Sequence, residues 1–163
     1  MRRAATGSVA FFIVAPGCVA VLVPWLLTSW DVARTYAWPL RVLGVALVAA
    51  GAVVLIQSFA RFVTEGTGTP APVAPTERLV IGGLYRHVRN PMYLGVAAVI
   101  CGQALILGRP VLFVYAAVFG AVVWAFVTFY EEPVLRERYG AQYDAYGAAV
   151  PGWRPRLRAW RDG

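Results

Sequence analysis

The chain contains no lysine, a single histidine and two cysteines in 163 residues, and only 14% of it is charged. Each shortage excludes something. Cys18 and Cys101 give no disulfide framework, and with His87 alone among histidines there is no metal-ligand spacing, so no metal is expected. Both cysteines lie inside apolar runs and read as small packing residues. Soluble domains usually carry about 25% charged residues. At 60% hydrophobic, a chain about one domain long cannot hide its apolar surface in one core of its own. Lipid is the solvent that takes the surplus.

What is present is apolar and grouped. Four runs stand out: Val9 to Leu27, Leu40 to Phe62, Met92 to Leu107, and Val111 to Tyr130. A helix rising 1.5 Å per residue needs about 20 residues to cross a hydrocarbon core of ~30 Å. The third run is the shortest, and only Gly108, Arg109 and Pro110 join it to the fourth, a turn that makes a helical hairpin. One buried core helix is the other reading of that short run. The expectation is an all-α integral membrane protein with about four transmembrane helices in one membrane domain, 1–163. Residues 1–62 form a two-helix scaffold, 63–91 a cytosolic loop, 92–130 the hairpin, and 131–163 a cytosolic C-terminal helix and basic tail.

Orientation follows from the cations, all fifteen of them arginines. Twelve fall on one side: Arg2 and Arg3, then Arg61, Arg78, Arg86 and Arg89, then Arg136, Arg138, Arg154, Arg156, Arg158 and Arg161. Arg34, Arg41 and Arg109 fall on the other. The positive-inside rule puts the N- and C-termini in the cytosol. Anionic membrane lipids account for the basic balance, and no nucleic acid is needed. The absence of lysine points to a GC-rich genome and fits a bacterial inner (plasma) membrane. Arg2-Arg3 before an apolar run resembles a signal peptide, but the run continues through Val23, Pro24, Trp25 and Leu26, which favours an uncleaved helix.

Two cytosolic segments carry chemistry-bearing residues. In the first, Gly82 and Gly83 permit a positive φ or backbone close to a ligand. Asn90 and Pro91 suit the N-cap and first position of the third span. With Arg86 and Arg89 beside it, that helix mouth favours a carboxylate or phosphate; a capped helix with arginines on lipid headgroups is the plainer reading. In the second segment, Glu131 and Glu132 directly follow the fourth run. Carboxylates beside a membrane span are functional candidates, although acids ahead of Pro133 would also complement the dipole of a new helix starting there. Leu135, Tyr139, Tyr143 and Tyr146 recur at helical spacing, with an aromatic belt the default reading, and the Trp/Arg tail from Trp153 to Arg161 reads as surface anchoring. His87 reads as structural.

In this order the motifs Leu79-Val80, Gly83-Leu84-Tyr85, Arg89-Asn90-Pro91-Met92-Tyr93-Leu94-Gly95, Glu131-Glu132 and Tyr139-Gly140-Ala141-Gln142-Tyr143-Asp144-Ala145-Tyr146 resemble the isoprenylcysteine carboxyl methyltransferase and phospholipid methyltransferase superfamily of membrane enzymes. The resemblance covers about residues 77 to 151. It implies S-adenosyl-L-methionine bound at the cytosolic face under the loop and C-terminal helix, and a lipophilic small-molecule or lipid acceptor entering from the bilayer. By position it gives Arg78, Leu79, Val80, Tyr85, Asn90, Pro91, Met92, Tyr93 and Glu131 to the cofactor, and Arg89, Glu131 and Glu132 to catalysis. Asn90 departs from the family's usual histidine, and Val127 stands where some members carry an arginine that orients a substrate carboxylate. Both a prenylcysteine-like carboxylate and a lipid amine therefore stay open as acceptors. The competing readings are an NADPH-dependent membrane reductase, which is usually a longer chain with more spans, and a non-enzymatic membrane protein with a lipid-binding tail. Oligomeric state is not legible.

Overall fold

A computed structural model describes residues 15–33, 36–65 and 79–161, which form helices and loops with no strand among them. We label the helices α1 (Ala15–Thr28), α2 (Trp38–Glu65), α3 (Pro91–Leu107), α4 (Val111–Tyr139) and α5 (Ala141–Ala149), with one 3₁₀ turn at Gly83–Arg86. Two of them, Trp38–Arg61 within α2 and Val111–Tyr139, are long and apolar enough to cross a membrane. Helices α1 and α3 are apolar but shorter; the 17 residues of α3 reach about 25 Å. The first six residues of the run expected from Val9, and Arg78, lie outside the described residues.

Helix α3 is the enclosed one. Pro91, Gly95, Val96, Ile100, Gly102, Ala104 and Leu107 are all buried along it. Helices α2 and α4 instead expose rows of large apolar side chains, Val42, Val45, Val53 and Ile56 on one, Val114, Val118 and Val122 on the other. Lipid satisfies such faces at no cost, whereas water does not.

Glycines set the register of α2 on α3. A Cβ on Gly51 would meet the Gly95 carbonyl oxygen at 2.6 Å, and one on Gly44 would meet that of Gly102 at 2.8 Å. The pairs lie seven residues apart on both helices and run antiparallel, so the two backbones touch at two levels. Without a hydrophobic force between helices in lipid, such close backbone packing is what holds them. Gly95, a member of the motif quoted above, thus answers to packing.

Two expectations about boundaries need correction. Helix α4 does not stop at Tyr130, and no new helix starts at Pro133; one helix continues through both glutamates to Tyr139. The cause is a π-helical turn at Val127–Glu131, closed by the Glu132 N–H on the Val127 carbonyl. The wider turn makes room for a proline that has no N–H and would otherwise crowd the carbonyl four residues back. The helix finally ends at Gly140, whose φ of 51° a side chain would disfavour, and α5 turns off there. At the other end, the hairpin turn is as short as expected: α3 ends at Leu107, Gly108 is left-handed, and α4 begins at Val111.

Candidate active site

The segment before α3 is held by the C-terminal tail. Backbone N–H groups of Trp160, Arg156 and Arg89 donate to the carbonyls of Arg86 (3.0 Å), His87 (2.9 Å) and Pro151 (3.0 Å). His87 Nδ1 lies 2.8 Å from the Arg156 carbonyl, which can only accept, so Nδ1 carries the proton. His87 thus helps to hold the tail on the loop. The tail is a strap across the loop, where its composition suggested a surface anchor; the unpaired backbone of an irregular loop is what it satisfies.

The tyrosines are likewise inside. Tyr143 and Tyr146 are each 3% exposed and pack with Leu79, Ile81, Leu135, Tyr139 and Trp160. They are a core beneath α5, not an aromatic belt. The Tyr146 hydroxyl donates to the Tyr85 carbonyl at 2.7 Å, pinning the 3₁₀ turn. Burial pushes the hydroxyls of Tyr143 and Tyr146 above the ordinary tyrosine range, and the Arg89 guanidinium pulls both part of the way back.

Asn90 occupies the N-cap position of α3 but does not cap it. Its side-chain amide donates instead to the Gly152 carbonyl at 3.2 Å, so the tail competes successfully for the group. Gly82 approaches protein, not an open site: its N–H donates to Glu65 Oε2 at 2.9 Å, and Glu65 also pairs with Arg61 at 2.8 Å. Gly83 has the positive φ, 57°.

Arg89 crosses from the loop to α4. Its guanidinium pairs with Glu132 at 3.0 Å and donates to the Tyr143 hydroxyl at 3.3 Å. Gly147 and Gly152 flank it so closely that a Cβ on either would stand 3.1–3.2 Å from its nitrogens. Its Nε is buried without a hydrogen-bond partner among the described residues. The neighbouring Glu131 pairs differently, accepting a hydrogen bond from the Tyr93 hydroxyl at 3.1 Å. No arginine among the described residues forms an ion pair with Glu131. The π turn thus sends two adjacent carboxylates to two different partners.

These groups meet at a cavity of about 360 Å³. Of the residues singled out in the sequence, Tyr85, Arg89, Asn90, Pro91, Met92, Tyr93 and Glu131 line it. Glu132 stands behind Arg89, while Leu79 and Val80 go into apolar packing and do not line the cavity. The remaining wall is apolar: Ala15, Pro16 and Val19 of α1, Leu55 of α2, Val96 of α3, and Phe119 and Phe126 of α4. None of these was singled out in the sequence, and the helices expected as mere scaffold supply four of them. Phe119 and Phe126 lie seven residues apart and share one face of α4, but the π turn at Val127–Glu131 offsets that face from the acid pair, so the spacing does not tie them to it. Nothing in the sequence marks the α1 residues.

An apolar chamber lined by Arg89, which Glu132 engages, and by Glu131, which has no cation partner among the described residues, suits an amphipathic guest bearing both charges. Comparison with known proteins points the same way. The profile of the family described as phospholipid methyltransferase matches residues 40–142, from the start of α2 to the start of α5. Protein-S-isoprenylcysteine O-methyltransferase B of Arabidopsis thaliana is 35% identical to this chain over 81 residues. That stretch is 48% of this chain and 40% of the relative, so less than half of the relative's length is matched. No solved structure gives a significant match.

Proposed function

The chain belongs to the phospholipid methyltransferase family, and from that premise we propose that it transfers a methyl group from S-adenosylmethionine to a lipophilic acceptor at the cytosolic face of a membrane. The observation that carries this reading is one cavity lined by Tyr85, Arg89, Asn90, Tyr93 and Glu131 together with an otherwise apolar wall. In this reading the two long apolar helices, α2 and α4, and the two shorter ones, α1 and α3, all cross the bilayer, with both termini, the loop and the tail cytosolic.

The residues present fit the cofactor's charges. Arg89, the cation lining the cavity, is a counter-charge for its carboxylate, and Glu131, which pairs with no arginine among the described residues, is one for its ammonium and sulfonium. When bound, the cofactor supplies an electrophilic methyl group on that sulfonium. The chain's own work is then to hold two guests in line and exclude water, which is where most of the acceleration of such a displacement comes from. Tyr93 orients the Glu131 carboxylate, and Glu132 with Tyr143 fixes the Arg89 guanidinium. Tyr85 is set by Tyr146 from behind.

The same charges favour one acceptor class. Arg89 is the only cation among the described residues lining the cavity, and in this reading the cofactor's carboxylate takes it. Val127, buried in the π turn, offers no charge either. A carboxylate acceptor finds no second cation among the described lining residues, whereas an amine brought to the same methyl group can give its proton to Glu131 before the nitrogen attacks. The acceptor is therefore an amine-headed lipid. Transfer of a labelled methyl group from S-adenosylmethionine to an aminophospholipid and to a prenylcysteine carboxylate, assayed side by side, tests this. Transfer to the amine supports it, and transfer to the carboxylate alone overturns the amine assignment.

A further inference from the structure

The cavity has one wall whose attachment is unlike the rest. Helix α1 contains a π-helical turn, Cys18–Leu22, in which the Val23 N–H donates to the Cys18 carbonyl. In an α-helix that N–H would serve the Val19 carbonyl, and the N–H of residue 24 would serve Ala20. Residue 24 is proline and has none. The turn thus takes the helical donor from the Val19 carbonyl, and Pro24 leaves the next carbonyl, that of Ala20, without one. In lipid a carbonyl left in this way costs free energy that only a neighbouring side chain can recover.

Two side chains from other helices do so. The Tyr115 hydroxyl of α4 donates to the Val19 carbonyl at 2.9 Å, and Gln103 Nε2 of α3 donates to that of Ala20 at 2.7 Å. These are side-chain bonds to backbone, so they fix where α1 lies whatever its own side chains are. Val19 itself lines the cavity, along with Ala15 and Pro16 one turn earlier. All three present only apolar atoms. The family match begins at residue 40, beyond α1, while every charged or hydrogen-bonding lining residue falls within it. The part shared with the family is thus the part that suits a shared cofactor. Helix α1 is a wall that lies outside the matched residues.

We propose that Gln103 and Tyr115 are positioning residues that dock α1 through the carbonyls freed at its π turn, and that α1 thereby sets which lipophilic acceptor chains the cavity admits. The second half of the proposal rests on the methyltransferase reading; the first does not. Neither residue touches the cavity, so both act through α1.

The test uses the full chain in detergent with Tyr115→Phe, which keeps the ring, Gln103→Met, which keeps the length, and the double variant. Hydrogen exchange of α1 amides is expected to quicken by about tenfold in the double variant, with α3 unchanged. The KM for a long-chain aminophospholipid should rise about tenfold and its discrimination against shorter chains should narrow, while kcat and S-adenosylhomocysteine affinity stay within about twofold. Unchanged exchange in α1 overturns the docking role, and this arm reads out even if the wild type binds no cofactor. Quickened exchange with unchanged acceptor KM and chain preference overturns the acceptor role. A parallel loss of S-adenosylhomocysteine affinity would mean general loosening of the fold and also overturns it. If wild type neither binds S-adenosylhomocysteine nor transfers methyl, the methyltransferase reading has failed, and with it the acceptor half of the proposal.

Discussion

Tyr93 donates its hydroxyl to Glu131 Oε2 across 3.1 Å, tying the first turn of α3 to the π turn of α4 on the rim of the cavity. The pair holds the only carboxylate that lines the cavity among the described residues. Glu131→Gln keeps the shape and removes the charge; Tyr93→Ala removes the group that orients it. Each is expected to weaken S-adenosylhomocysteine binding at least about tenfold, or about 1.4 kcal/mol, by calorimetric titration in detergent. Full affinity in both variants would reject this carboxylate as part of the cofactor site.

Arg89 and Glu132 pair at 3.0 Å with side chains only 17% and 18% exposed. Removing one partner strands the other in a poorly hydrated place. Arg89→Ala and Glu132→Ala should each cost about 2–4 kcal/mol in denaturation from mixed micelles. The double variant should cost less than their sum by about 1–3 kcal/mol. Simple additivity would mean that the two groups do not interact.

The backbone contact between α2 and α3 leaves no room at Gly51. Gly51→Ala puts a methyl group on the Gly95 carbonyl and should cut the yield of monodisperse protein severely, since backbone cannot step aside. Gly120→Ala, with nothing within 4 Å of the new methyl, should be neutral or slightly stabilising. Equal behaviour of the two would contradict the packing described.

Tyr146 gives a sign in pH. Its folded-state pKa is raised above the ordinary 10.0 by burial, so the unfolded chain loses its proton first. The contribution is complete below pH 10 and is lost as pH climbs from there toward the raised folded value. The thermal midpoint should therefore fall above pH 10 more steeply in wild type than in Tyr146→Phe. Parallel curves would show that Tyr146 is not the titrating group. At neutral pH the variant should lose about 1 kcal/mol, for the hydrogen bond to the Tyr85 carbonyl.

Much of this was legible in the residues because it is local. Pro91 starts α3 where a proline with no donor belongs, and Gly108 with Pro110 closes the hairpin. Tyr85, the run from Arg89 to Tyr93, and Glu131 share one cavity, which their order along the chain suggested. What escaped depends on partners far away in sequence. Pro133 reads as a helix start, and only the π turn before it lets one helix run through. The Trp/Arg tail has the composition of a membrane anchor, and the composition gives no sign that its backbone also bonds the loop at Arg86 and His87. Asn90 has a capping side chain and a nearer claimant in Gly152. The glycines at 44, 51, 95 and 102 become meaningful only once two helices are laid antiparallel. The α1 wall, finally, is visible only as two carbonyls that another helix must satisfy.

The central claim is that this cavity holds S-adenosylmethionine. Titration of purified wild-type protein in detergent with S-adenosylhomocysteine, and separately with NADPH, tests it most directly. Saturable binding of S-adenosylhomocysteine with none of NADPH is the predicted result. Binding of neither, or of NADPH alone, would contradict it.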